Sequence, residues 1–198
     1  MPILDVRPVT LTGRIVRLEP LSLNHLPGLN AIGLDESIWR YMRYGIISSQ
    51  EQMRAWVEHL LKAQAAGTDL PFAVIYLPSG QVAGSTRYME IRPTDLGLEI
   101  GGTWYGVVFQ RTAVNTECKY LLLKHAFENL SCIRVQIKTD LRNVRSQQAI
   151  ERLGAVKEGV FRNHMVLPDG NFRHSVYYSI INTEWPSVKA RLEAMLEK

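Results

Sequence analysis

Two short polar segments near the middle of the chain hold residues suited to chemistry. The first is the loop over residues 110–116, Gln110-Arg111-Thr112-Ala113-Val114-Asn115-Thr116, which leads into a long amphipathic stretch. A helix that begins there leaves its first N–H groups without intrahelical partners. Those donors, with the positive end of the helix dipole, suit a phosphate. Thr112 or Asn115 could equally serve only to cap the helix. The loop has no glycine, so it is neither a Walker loop nor a dinucleotide fingerprint. The second segment is Asn143-Val144-Arg145-Ser146. Asn143 is placed to cap a further helix. Ser146 falls on the apolar stripe of that helix with Ala149, Ile150 and Leu153, so its hydroxyl needs a partner, unless it is a small polar filler. Arg142 and Arg145 flank it and suit a terminal phosphate or plain solvation.

Glu99 interrupts the apolar run GLEIGGTWY. If Leu98 and Ile100 face one layer, Glu99 faces the other, where a carboxylate is either exposed or functional. Trp104 and Tyr105 close the same run and would line a pocket or join the core. The five histidines, His25, His59, His125, His164 and His174, show no metal-ligand spacing with one another or with cysteine, so no metal is expected. No G-x-S-x-G elbow is present.

The elements that must position these residues are readable from periodicity. Residues 14–18 alternate as a strand, and a short helix follows from Ser22 to Gly33 with Pro27 in its first turns. Residues 34–47 read as irregular and aromatic, with Trp39, Tyr41 and Tyr44 as a lid or as pins to the core. Ser48 and Glu51 form a capping-box pattern for a helix closed by Gly67. Strands at 72–77, 82–91 and 97–105, separated by Pro-containing turns, make an antiparallel meander. A helix over 113–129, a strand over 133–139 with Ile133, Val135 and Ile137 on one face, and a helix over 144–153 ending at Gly154 come next. Strands at 158–167 and 172–181 flank Pro168-Asp169-Gly170. Asn182 or Thr183 then caps a last helix with Pro186 in its first turn. The order predicts an α+β fold, a single mixed, mostly antiparallel sheet of about seven strands flanked by helices, in one domain over residues 1–198.

Composition narrows the function classes. With 198 residues, of which 46% are hydrophobic, one core needs no metal or disulfide staple. The net charge of +4 favours an anionic ligand, but no basic stripe interleaved with aromatics marks a nucleic-acid binder. Cys118 and Cys132 read as two reduced, core-type thiols of a cytoplasmic protein. No secretory leader and no apolar run of ~18 residues is present, so no membrane association is expected. The exposed final hairpin is a candidate homodimer surface.

Taken together, residues 110–154 resemble the acetyl-coenzyme-A binding core of the GNAT acetyltransferases, and in particular the branch with the ribosomal-protein N-terminal-alanine acetyltransferases. The resemblance rests on Gln110-x-x-Ala113-x-Asn115-Thr116-Glu117, Asn143-x-x-Ser146, Glu151-Arg152-Leu153-Gly154-Ala155, Glu158-Gly159, the tail Tyr177-Tyr178-Ser179-Ile180 with Glu184-Trp185-Pro186, and the opening from Leu11 to Leu21. Ala113 and Asn115 stand where the family's loop usually carries small residues, commonly glycine. The resemblance implies transfer of an acetyl or other short acyl group from coenzyme A to a primary amine of a small molecule or a protein N-terminus. It implies that the amides of residues 111–116 hold the pyrophosphate, that Asn143 bonds the carrier arm, and that N–H groups near Trp104 and Tyr105 polarise the thioester. Glu99 is then the candidate base and Ser146 the candidate acid for the leaving thiolate. Binding or sensing of an acyl-coenzyme A without turnover is the alternative.

Overall fold

A computed structural model describes residues 3–197. Its eight strands form one sheet: β1 (Leu11–Thr12), β2 (Val16–Pro20), β3 (Leu70–Tyr76), β4 (Gln81–Arg92), β5 (Gly97–Tyr105), β6 (Arg134–Asp140), β7 (Val156–Val166) and β8 (Phe172–Ile181). They lie in the order β1-β2-β3-β4-β5-β6-β8-β7, and every pairing is antiparallel except β5 with β6. The strand beyond the expected seven is the two-residue β1, too short for an alternation signal.

The helices are α1 (Leu26–Gly33), α2 (Glu36–Trp39), α3 (Gln50–Ala65), α4 (Ala113–Lys124), α5 (Val144–Leu153) and α6 (Trp185–Leu196). Alternation along the central strands divides the core between two faces. Phe72 and Val74 pack with residues of α4 and α6, while Ala73 and Ile75 pack with residues of α1 and α3.

Several local expectations shift. The first strand sits two residues later than 14–18, and α2 forms inside the segment expected to be irregular because Asp35 caps it through Ser37 N. The capping box of α3 is made by Ser49 and Gln52, one residue along from the Ser48 and Glu51 pair. The long helix leaves α geometry at Lys124 and continues as a π-turn over His125–Asn129. Ile133 precedes β6 and is 47% exposed, so only Val135 and Ile137 of that trio are core. Glu184, rather than Asn182 or Thr183, stands at the N-cap of α6.

One buried anchor ties α4 to the first hairpin. Glu117, 3% exposed, accepts the backbone N–H groups of Arg14 (2.8 Å), Ile15 (2.8 Å) and Val16 (2.7 Å). A Cβ on Gly13 would lie 2.6 Å from this carboxyl carbon, so the close approach requires glycine there. Cys118 and Cys132 are both buried and unbridged, and burial pushes each thiol up to about 12. Among the described residues no helix is long and apolar enough to cross a membrane.

Candidate functional site

The sheet forks between β5 and β6. The two strands pair only through Gly97↔Arg134, Leu98↔Val135 and Glu99↔Gln136. Past that point residues 100–105 and 137–140 do not pair with each other. A bulge drives the separation: β4 spans Ser85 to Arg87 where β5 spans Trp104 to Gly101, and Gly102 takes the extra position with φ +57°. Gly106 N–H donates to Ala83 O, so alternation turns the neighbouring Tyr105 N–H and C=O toward the open side. The Tyr105 carbonyl there accepts from Gln110 Nε2 at 3.0 Å.

The fork opens into a cleft of about 870 Å³. Ser146, Glu99, Trp104, Gln110, Arg111, Thr112, Ala113, Asn115, Thr116, Asn143 and Arg145 all line it. Val114 does not. Its side chain is 1% exposed in the core, and its N–H is already bound to Thr112 Oγ1 at 3.3 Å. It therefore leaves the set of ligand-facing residues expected from the sequence, and Thr112, not Asn115, is the helix cap.

The loop geometry explains how α4 starts without glycine. Ala113 is already the first helical residue and Asn115 lies in the first turn, so neither needs a positive φ. The left-handed position is taken by Arg111, with φ +61°. Arg111 is exposed, Arg145 Nη1 donates to Gln110 Oε1 at 3.0 Å, and Arg152 Nη2 donates to Thr116 Oγ1 at 3.1 Å. Three guanidinium groups thus gather beside a helix N-terminus, a setting for phosphate oxygens. Arg142, the other candidate for that role, is committed elsewhere: it bonds Asp140 with Nε at 3.0 Å and Nη2 at 2.8 Å.

Across the fork, Asn143 Oδ1 accepts Ser146 N–H at 3.0 Å and so caps α5. Its amide nitrogen has no side-chain or backbone partner among the described residues. The Ser146 hydroxyl likewise bonds nothing there and borders the cleft. Gly154 ends α5 in the left-handed conformation, φ +104°.

Glu99 stands at the apex of the fork. Leu98 and Ile100 are buried beneath α4, so alternation places Glu99 on the other face, and it is 1% exposed. Its Oε2 accepts from Gln136 Nε2 at 2.8 Å and from Lys138 Nζ at 2.7 Å, while Oε1 has no such partner and adjoins Gly101. Trp104 lines the cleft with its indole backed by aromatic neighbours. Its indole packs against Trp39 at 5.1 Å and Trp56 at 5.9 Å between centroids.

Sequence reasoning missed six cationic residues that line the cleft: Arg43, Arg87, Lys119, Lys138, Arg152 and Arg173. Lys119 Nζ donates to Thr103 Oγ1 at 2.8 Å, and burial pushes its ammonium down to about 8. Its signal was a lysine on the apolar face of the amphipathic helix. Arg87 contacts Asp69 at 3.1 Å and donates to the Tyr44 hydroxyl. Lys138 and Arg173 lie on buried strand faces, where any charge is informative.

Comparison with known proteins follows the same outline. A family model described as acetyltransferase (GNAT) domain matches residues 16–156. A crystal structure of a "putative acetyltransferase" from T. thermophilus is 44% identical, covers 97% of this chain and 99% of its own, and superposes with a TM-score of 0.89. A GCN5-related N-acetyltransferase from Brucella melitensis is 31% identical over 98% of this chain and 88% of its own, with a TM-score of 0.91. The Bacillus subtilis (strain 168) protein named "Putative ribosomal N-acetyltransferase YdaF" is 29% identical over 113 residues, 57% of this chain and 61% of that relative.

Proposed function

The chain belongs to the acetyltransferase (GNAT) domain family, and on that premise we propose that its cleft transfers an acetyl group from acetyl-coenzyme A to a primary amine. The observation that carries this reading is the fork between β5 and β6. One cleft joins a helix N-terminus ringed by arginines, an unpaired strand edge, a free serine hydroxyl and a buried carboxylate. The coenzyme supplies the acetyl group as an activated thioester.

The residues present fit such a donor. First-turn amides of α4 with Arg111, Arg145 and Arg152 would hold its phosphates, and the open backbone of β5 with the free Asn143 amide nitrogen would hold its arm. The Tyr105 N–H on the open edge is suited to the carbonyl oxygen as charge develops on it. Glu99 takes a proton from the amine through its free Oε1, directly or by way of a water. The amine nitrogen forms the new bond to the carbonyl carbon, the carbon–sulfur bond breaks, and Ser146 gives the departing sulfur a proton while its oxygen takes, directly or through a water, the surplus proton of the nitrogen, which restores the hydroxyl. The α-amino group of a peptide, pKa about 8, needs less help than a lysine, pKa about 10.4, which favours a free N-terminus as acceptor. The name of the Bacillus subtilis relative points toward a ribosomal protein.

The glycine-free loop is the motive for a reading of binding without turnover. Ala113 and Asn115 lie in ordinary helical geometry, so neither position needs the positive φ of a glycine, which supports transfer over binding alone. The test is release of free thiol from acetyl-coenzyme A in the presence of a panel of peptides and small amines. Amine-dependent release supports transfer, whereas coenzyme binding with no release across the panel overturns it.

A further inference from the structure

The acceptor end of the cleft has more cations than anions, and the charges can be paired off. It lies on the face of Glu99 and of the segment between α2 and α3, which contributes Tyr41, Arg43 and Tyr44 to the lining. Among the lining cations Lys138 is matched by Glu99 and Arg87 by Asp69, Lys119 donates to the neutral Thr103 Oγ1, and Arg142, outside the lining, takes Asp140. Two guanidinium groups remain. Arg43 is exposed and lies over the Tyr44 ring, 5.5 Å from its centroid. Arg173 is only 7% exposed, yet no carboxylate lies within ion-pair distance of it among the described residues. Its Nε donates to Ser175 Oγ at 3.1 Å and its Nη1 to Tyr41 O at 3.4 Å, both neutral acceptors. Nη2 has no partner among the described residues, and Arg173 lines the cleft.

A nearly buried guanidinium without a counter-ion is costly, because the desolvation of a charge is recovered only by close anionic partners. Burial disfavours its charged form, Asp140 and Glu99 favour it from beyond contact distance, and the nearby Arg43 works against it. A guanidinium with a nitrogen left over at the wall of a cleft suits a carboxylate. Resting on the transfer reading above, we propose that the acceptor is an amine that also bears a carboxylate close to its reacting nitrogen, and that Arg173, assisted by Arg43, receives that carboxylate. The carboxylate is either the acidic side chain at the start of a peptide or the α-carboxylate of a free amino acid. Neutral and polycationic amines are poor acceptors on this account, since they leave both guanidinium groups unmatched or repelled.

The experiment uses the full chain with acetyl-coenzyme A and two pairs of acceptors. Asp-Ala-Ala-amide is compared with Asn-Ala-Ala-amide, and alanine with alaninamide, so the two sources of carboxylate are separated. In at least one pair kcat/KM is higher for the acid by about tenfold or more, the size of one charge-assisted contact. Arg173→Gln brings that ratio to about one, and Arg43→Gln, on an exposed residue, lowers it in the same direction. In parallel, calorimetry compares binding of N-acetyl-Asp-Ala-Ala-amide, N-acetyl-Asn-Ala-Ala-amide, N-acetylalanine and N-acetylalaninamide to protein saturated with coenzyme A, which needs no turnover. Acid-selective binding that Arg173→Gln abolishes, with no transfer to any amine, sustains the carboxylate site and removes the transfer reading. Transfer with acid and amide reacting and binding within twofold in both pairs removes the carboxylate site and leaves transfer standing. A folded Arg173→Gln protein that keeps the wild-type preference also overturns the proposal.

Discussion

Glu99 is both the proposed base and half of a buried ion pair, so replacing it alone disturbs two things at once. Its side chain is 2% exposed and that of Lys138 7%, with Oε2 and Nζ 2.7 Å apart. Glu99→Gln leaves the Lys138 ammonium buried without its counter-charge, which costs about 3–5 kcal/mol of stability. Lys138→Met has a comparable cost for the opposite reason. The double variant Glu99→Gln/Lys138→Met removes both charges and returns to within about 1–2 kcal/mol of the parent, giving a coupling energy of several kcal/mol. Urea unfolding of the four proteins measures this cycle. The rates follow a different pattern if Glu99 moves a proton. Loss of a general base costs about 100- to 10,000-fold in turnover, and repairing the charge balance does not restore it. Glu99→Gln and the double variant are therefore both slow, while Lys138→Met alone retains most of the rate. Transfer at saturating acetyl-coenzyme A, followed across pH, reads the result. A double variant that regains parental turnover would refute the reasoning, since Glu99 would then act only by holding Lys138.

Ser146→Ala removes a hydroxyl without a protein partner, so stability changes by less than about 0.5 kcal/mol; turnover falls about 100-fold while the KM for acetyl-coenzyme A stays within about twofold, and unchanged turnover at saturating amine excludes Ser146 as the acid. Glu117→Gln swaps a carboxylate that accepts three backbone N–H groups for an amide that offers one oxygen and one clashing donor. The loss is about 3 kcal/mol, or about 6–12 °C in Tm, and a shift under 1 °C by circular dichroism contradicts it. Lys119 titrates near 8 when folded and near 10.4 when unfolded, so from about pH 8 to 10.4 the unfolded chain holds the extra proton and stability rises with pH, by up to about 3 kcal/mol. Below pH 8 the cost of the buried charge is fully present. Lys119→Met is therefore more stable than the parent at pH 7, and the difference between their urea midpoints narrows as pH rises to 10; parallel curves overturn the assignment.

The sequence by itself determined the elements whose signals are local. The strand over 97–105 and the helix over 144–153 fall where periodicity puts them, because alternation, a capping Asn143 and a terminal Gly154 act within a few residues. The loop proposed to hold phosphate was legible for the same reason, as a helix start needs no distant partner to leave its amides free. Cap choice between neighbours, Ser49 over Ser48 and Glu184 over Asn182, was not, since candidates one or two residues apart carry nearly equal local preference. Nor was the inward position of Val114, which depends on how α4 is rotated against the sheet.

What only the tertiary structure decided is which charges meet. Whether Glu99 is exposed or buried turned on its strand lying inside the sheet, and its Lys138 partner comes from a strand 39 residues away. Arg173 is unmatched because β8 carries it beside Asp140, whose carboxylate Arg142 already occupies. Pairing of ions is a property of three-dimensional distance, which falls off over a few ångströms, whereas sequence separation carries no such metric. The sequence thus pointed to the proposed donor site, and the packing of the sheet left Arg173 unmatched, the observation on which the proposed acceptor carboxylate rests.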